Sequence, residues 1–89
     1  MATRQECYKA IDSERAYQND LWGDGYDLEH RRPEEWLVYI DVYLNKAKVA
    51  ITSIKDNTAI PETIHIIRKI TALGIAAMEQ LGAPRRAGY

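Results

Sequence analysis

The stretch WLVYIDVYLNKAKVAI, Trp36 to Ile51, decides the fold class of this chain. Continued to Ile54, it carries a series of apolar residues at 36, 37, 40, 44, 47, 51 and 54, which from Leu37 onward alternates between steps of three and four. That is the period of one helical face. Pro33 suits the first helical position, and Glu34 and Glu35 follow where the positive end of the helix dipole favours carboxylates. The spacing predicts a helix over 33–54, about 33 Å long at 1.5 Å per residue.

Working outward, two more helices bracket this one. The run Thr3-Arg4-Gln5-Glu6 is a capping box, in which hydroxyl and carboxylate satisfy amides left open at a helix start. A helix over 4–21 follows. Cys7 or Tyr8, Ile11, Tyr17 and Leu21 form its imperfect apolar stripe, with a polar middle at Ser13-Glu14-Arg15. It should pack by one narrow face and be the least buried of the three. Between Trp22 and Arg32 the segment WGDGYDLEHRR has no helical period and reads as an ordered loop, with Trp22, Tyr26 and Leu28 to anchor it. After KDNTAI, Pro61-Glu62 repeats the helix-start chemistry of Pro33-Glu34, and a third helix is expected over 61–81. Gly82 should take the left-handed position past its last turn, and Pro84 blocks continuation into the tail 83–89.

The third helix carries Ile64, Ile66, Ile67, Ile70, Leu73, Ile75, Met78 and Leu81 almost all round its axis. A three-helix monomer cannot bury such a helix on every side. Self-association through the third helix is therefore expected, with Ala72, Gly74, Ala76 and Ala77 allowing close contact there. A symmetric dimer or a dimer of dimers is the usual solution. The plainer alternative is a monomer with exposed alanines.

Composition agrees with one small all-α domain over 1–89. At 89 residues there is room for a single core. The chain is 46% hydrophobic and 28% charged, ordinary values for a globular protein. Its single cysteine, Cys7, excludes an intramolecular disulfide and a cysteine metal cluster. No leader segment is evident, so a cytoplasmic location is expected, and no apolar run reaches the roughly 20 residues that span a bilayer. The net charge is −1, acidic in residues 1–41 and basic after them. That asymmetry suggests local anion attraction and disfavours a general nucleic-acid surface.

The order of landmarks resembles a known family. ERAYQNDLWG at 14–23, His30, a Trp36 opening an apolar helix, and a third helix closing on AAMEQLG at 76–82 resemble the short MazG-like nucleotide pyrophosphohydrolases often encoded by bacteriophages. The likeness covers roughly residues 11 to 82. It implies an all-α, usually oligomeric bundle in which Glu-Glu-x-x-Glu on one helix and Glu-x-x-Asp on the next hold magnesium. The metal would neutralise a triphosphate while water attacks it, and Mg²⁺ needs hard oxygen ligands for that task.

This chain departs from the family where those acids belong. Placed without gaps from Trp36, the first motif falls on Val42-Tyr43-Leu44-Asn45-Lys46, so its three acidic positions are lost and one becomes a cation. Asp41 is one position out of register, rotated about 100° from Val42. No acid lies between Glu62 and Glu79; that interval holds His65, Arg68 and Lys69. A coincidental three-helix bundle would explain the missing acids equally. The direction of replacement favours another explanation. Lys46, Lys48, Arg68 and Lys69 can meet a phosphate directly where the enzymes would place a metal.

The candidate ligand-binding residues follow from that idea. Tyr39, Tyr43 and Lys46, at i, i+4 and i, i+3 spacings, make a phenol-lined strip beside a cation. Arg31 and Arg32 stand before a helix start, where a phosphate would be favoured, with Glu34 and Glu35 competing for them. The resemblance adds Trp22 and His30, in the loop that the family places near the nucleotide. Arg15 is either an ion-pair partner or a ligand arm. Arg85 and Arg86 either close over an anion from a neighbouring subunit or belong to a free tail. For most of these the bland role is a solvated flank or a packing contact. No catalytic set stands out: Ser13 and Ser53 lack a His–acid partnership, the two histidines have no zinc spacing, and there is no glycine-rich phosphate loop.

The expected activity is thus binding of a nucleotide or other phosphorylated small molecule without hydrolysis, by a phage-type protein in the bacterial host cytoplasm. A sponge for a cyclic or modified nucleotide signal made by a defence system would suit such a module. No cofactor is expected. Two alternatives stay open. One is a magnesium-dependent nucleoside triphosphate pyrophosphohydrolase using Asp41 with Glu62 or Glu79. The other is a helical module that binds a protein through its apolar third helix and aromatic loop.

Overall fold

A computed structural model describes residues 1–23, 31–53 and 57–89. Three helices account for most of them: α1 (Arg4–Trp22), α2 (Pro33–Ser53) and α3 (Ala59–Leu81). Among the described residues there is no strand, and no helix is long and apolar enough to cross a membrane. The segment between α1 and α2, with Tyr26, Leu28 and His30, and the end of the second predicted helix at Ile54 lie outside the described residues.

Local chemistry sets the helix ends. Thr3 Oγ1 accepts from the Glu6 amide at 3.1 Å while Glu6 Oε1 accepts from the Thr3 amide at 3.3 Å, closing the capping box. Gly23 and Gly82 close α1 and α3 with φ of 84° and 116°, and their amides donate to Asn19 O and Met78 O. Gly82 has ψ of 152°, so the chain leaves α3 extended and not in the left-handed helical conformation expected of it. Either conformation calls for glycine, because a Cβ penalises positive φ. α3 begins two residues before Pro61, behind Thr58. A proline in the first turn removes only an amide that has no partner within the helix.

α3 is the central element. α2 lies antiparallel to it: Trp36 near the start of α2 bonds Gln80 near the end of α3, and Ala50 near the other end clusters with Ile66. α1 flanks α3 on another side, and no Cα of α1 comes within 8 Å of a Cα of α2. The seam between α2 and α3 holds the apolar core, with Trp36, Leu73 and Ala76 at one end and Ala47, Ala50 and Ile66 at the other. Tyr43 packs against both clusters. Alanine dominates the buried set because small side chains let the two axes approach closely.

Three expectations about facing are corrected. First, α2 turns Trp36, Ile40, Tyr43, Ala47 and Ala50 inward, while Leu37, Leu44 and Ile51 are exposed. The periodic stripe read from the sequence mixed Trp36, Ile40 and Ala47 with the exposed Leu37, Leu44 and Ile51 and missed Tyr43 and Ala50; the core selected the side with alanines. Second, α1 docks through its polar middle: Glu14, Arg15 and Gln18 are buried, whereas Tyr8, Tyr17 and Leu21 are more than half exposed. Third, Ala72 and Ala76 have no exposure, so their small size serves packing inside one chain and not contact with another.

Ionic links attach α1. Arg15 Nε and Nη2 donate to the two carboxylate oxygens of Glu79 at 2.8 and 3.0 Å, and Arg15 also donates to Gln18 and Asn19. Arg68 Nε donates to Glu14 at 2.7 Å. No buried side-chain polar atom among the described residues lacks a hydrogen-bond partner, the condition under which a polar seam of this kind is tolerated.

Candidate functional site

Tyr43 has a cation from each of two helices beside it. Lys46 Nζ, one turn along α2, lies 4.8 Å from the centre of its ring, and Lys69 Nζ, from α3, lies 5.9 Å away. The i, i+3 spacing on α2 brings Lys46 to the ring, and the packing of α2 on α3 brings Lys69. Neither ammonium meets a carboxylate within 4.0 Å among the described residues. Two lysines beside one aromatic ring, neither ion-paired among the described residues, favour an anion there; the acids that border the two hollows are Glu14 and Glu62.

Beside Tyr43 opens a cleft of about 270 Å³, with α3 as its floor through Lys69 and Leu73. Tyr17 and Gln18 from α1 line one wall and Tyr39 and Tyr43 from α2 the other; Trp22 and Arg31 also line the cleft. On the far side of Tyr43 a shallower groove of about 570 Å³ runs past Asn45, Lys46, Ser53 and Glu62, and Lys69 borders both hollows. The cleft is near the lower limit of small-ligand pockets, roughly 300–1,000 Å³, and the groove extends it.

Arg31 is held by aromatic rings. Its guanidinium lies 5.1 Å from the ring centre of Trp22, 5.2 Å from that of Trp36 and 4.7 Å from that of Tyr39. Its carbonyl accepts from Gln80 Nε2, and Gln80 Oε1 in turn accepts from Trp36 Nε1 at 2.9 Å. The chain entering α2 is thereby tied to the end of α3. No carboxylate pairs with Arg31 among the described residues, so its charge is held at the cleft with aromatic support alone.

The predicted site residues separate into groups. Trp22, Arg31, Tyr39, Tyr43 and Lys69 come together around one cleft, with Lys46 in the adjoining groove. Arg32 does not join them; it pairs with Glu34 at 3.0 Å on the surface. Arg68 is engaged by Glu14 and contacts His65 Nδ1 at 2.7 Å. Arg15 forms an ion pair, and Arg85 and Arg86 are exposed in the tail. His30 lies outside the described residues. Trp36, Gln80 and Tyr17 were not anticipated here. For Trp36 and Gln80 the only signal was a polar group on each side of a helix seam, which no spacing within one helix reveals.

The acids are arranged differently from a metal centre. Among the described residues, no three of His, Cys, Asp and Glu come together. Glu79 is held below the ordinary carboxylate value of about 4.5 by the hydrogen bond from Arg15, which outweighs the opposing effect of burial, and the charge of Arg15 adds a smaller push in the same direction. Compared with known proteins, the chain matches no family model, no curated protein and no solved structure.

Proposed function

We propose that this chain is a MazG-like, self-associating protein that binds a nucleotide, or a related phosphorylated small molecule, in the cleft beside Tyr43 without hydrolysing it. The observation that carries this reading is the convergence of Lys46 and Lys69 on one tyrosine ring with no carboxylate partner among the described residues. Lys69 and Lys46 receive the phosphates. Tyr39, Tyr43 and Trp22 offer faces on which a base can stack, a contact worth about 1–3 kcal/mol per base. Arg31 adds a planar donor group at the same cleft. Direct contact from cations replaces the metal-bridged contact of the pyrophosphohydrolases, and so supplies affinity without an activated water. A role as a sponge for a nucleotide signal, in a phage-type protein, follows from binding without turnover.

Thermal unfolding against mono-, tri- and cyclic nucleotides, with magnesium and then with EDTA, tests this. A ligand at 100 times its dissociation constant raises stability by about 2.7 kcal/mol. The expected outcome is stabilisation in EDTA, recovery of the ligand intact from the denatured protein, and loss of the effect in Lys69→Glu. Ligand cleavage that requires magnesium would establish the enzyme alternative in its place. Indifference to every nucleotide would reject the cleft as a nucleotide site.

A further inference from the structure

The α1 wall of the cleft carries two polar side chains that contact with phosphate would leave unused. Glu14 and Gln18 stand one turn apart on one face of α1, about 5–6 Å between their Cβ atoms, and each is only 6% exposed. Both line the cleft, and neither lines the other two hollows. One half of each side chain is committed. Glu14 Oε1 accepts from Arg68 Nε at 2.7 Å, and Gln18 Oε1 accepts from Arg15 Nη1 at 3.2 Å. A guanidinium only donates, so Arg15 fixes which end of the amide is the oxygen. The other halves, Glu14 Oε2 and Gln18 Nε2, have no partner among the described residues. No fully buried side-chain polar atom among those residues lacks one, so both atoms reach solvent, and the hollow they border is the cleft. One acceptor and one donor are thus held at set positions on its wall.

The cleft is also polar in charge. Lys69 offers an ammonium from α3, whereas Glu14 offers a carboxylate from α1, which repels phosphate. A nucleotide therefore enters with its phosphates towards Lys69 and its base towards α1. There the base must give a hydrogen to Glu14 Oε2 and receive one from Gln18 Nε2. Every common base has a donor and an acceptor on its pairing edge, but a carboxylate selects by what stands next to the donor. In adenine, cytosine and uracil an acceptor atom adjoins the donor and faces the negative charge. Guanine sets N1–H beside its exocyclic amine, so the carboxylate meets two donors, and O6 follows on the other side of N1 to meet the amide.

We propose that Glu14 and Gln18 make the α1 wall a guanine subsite, Glu14 accepting from N1–H and the amine of the base and Gln18 donating to O6. The assignment rests on the nucleotide reading of the cleft and adds to it the base. Arg68 and Arg15 act as positioning residues, since each holds one half of a reading side chain and leaves the other half for the ligand.

Calorimetric titration of the full chain with GMP, IMP, AMP and XMP in EDTA tests it. GMP is expected to bind about ten- to a hundredfold more tightly than AMP, the worth of hydrogen bonds to a charged group, with IMP, which lacks the amine, between them. In Glu14→Gln the amide oxygen keeps the bond from Arg68 and a nitrogen faces the cleft in place of Oε2. XMP, with a carbonyl where guanine has its amine, should then bind more tightly than GMP, a reversal that a purely structural Glu14 would not produce. If Glu14→Gln loses its helical circular dichroism, Gln18→Glu decides. That variant keeps an oxygen for Arg15, sets a second against O6, and should abolish the preference for GMP over AMP. Equal binding of GMP and AMP by the parent chain, a Glu14→Gln variant that folds and still prefers GMP to XMP, or a preference that survives Gln18→Glu overturns the guanine subsite and leaves the nucleotide cleft standing. Binding of none of the four overturns both.

Discussion

Trp36 illustrates how much one residue organises. It is 1% exposed, fills the end of the α2–α3 seam, contributes a face to the ring cage around Arg31, and donates its indole N–H to Gln80. Trp36→Ala should destabilise the chain by about 3–5 kcal/mol, the usual cost of removing a buried aromatic. Trp36→Phe should cost less, about 1–3 kcal/mol, because Gln80 Oε1 then loses its donor while most of the packing remains. Denaturant titration separates the two, and equal losses would mean that the hydrogen bond, and not the packing, carries the contribution of Trp36. Gly74 offers a comparison with a sign. Gly74→Ala should stabilise an isolated chain by about 0.5–1 kcal/mol, since alanine loses less backbone freedom and the methyl meets nothing. Denaturant titration reads the change, and a loss of stability in place of the gain would show that the methyl meets a surface this chain does not itself supply.

At the scale of the element, α1 differs from its neighbours in what attaches it. α2 docks on α3 through Trp36, Leu73 and a row of alanines, whereas the buried residues of α1 are Glu14, Arg15 and Gln18. Its attachment should therefore respond to pH. Glu79 titrates below its ordinary value in the folded chain, so it binds a proton more readily when unfolded. The stability that this contributes is present above about pH 4.5 and is lost as pH falls through the lowered folded value. Glu79 is 46% exposed, so the effect is modest. Glu79→Gln should lower stability at pH 7 and flatten the acid side of the stability curve below about pH 4.5, as followed by circular dichroism. An unchanged acid limb would show that the Arg15–Glu79 pair does not hold α1 in place. Arg15→Ala should be worse than Glu79→Gln, by about 1–2 kcal/mol, because it also removes the donors to Gln18 and Asn19.

For the whole molecule, dimensions and surface point the same way. The radius of gyration is 14.5 Å, against about 12 Å for a compact chain of this length. α1 joins the core of α2 and α3 through Trp22, whose ring centre lies 6.2 Å from that of Trp36, and the buried apolar set is small. A chain that self-associates as proposed should have an unfolding midpoint that rises with protein concentration. Calorimetry over a hundredfold concentration range checks this, a constant midpoint being the adverse result. Nucleotide binding at the cleft beside Tyr43 should raise the midpoint at a fixed protein concentration, through Lys46 and Lys69.

The sequence by itself determined three helices, because their signals are local: the Thr3–Glu6 capping box, prolines near helix starts, Gly82 past a helix end, and apolar residues at steps of three and four. It also indicated that Tyr43 and Lys46 share a strip and that α3 carries apolar residues almost all round its axis. Only the tertiary structure decided which stripe faced inward, that α1 would dock through Glu14 and Arg15, and that Lys69 and Arg31 would join Tyr43 while Arg68 and Arg32 went to carboxylates. Periodicity records how residues are disposed around one axis, but an apolar stripe has no label for its partner. A charged residue likewise satisfies its spacing equally well in solvent, in an ion pair or at a ligand. The choice depends on what the neighbouring helix presents, and that is settled only when the helices are packed.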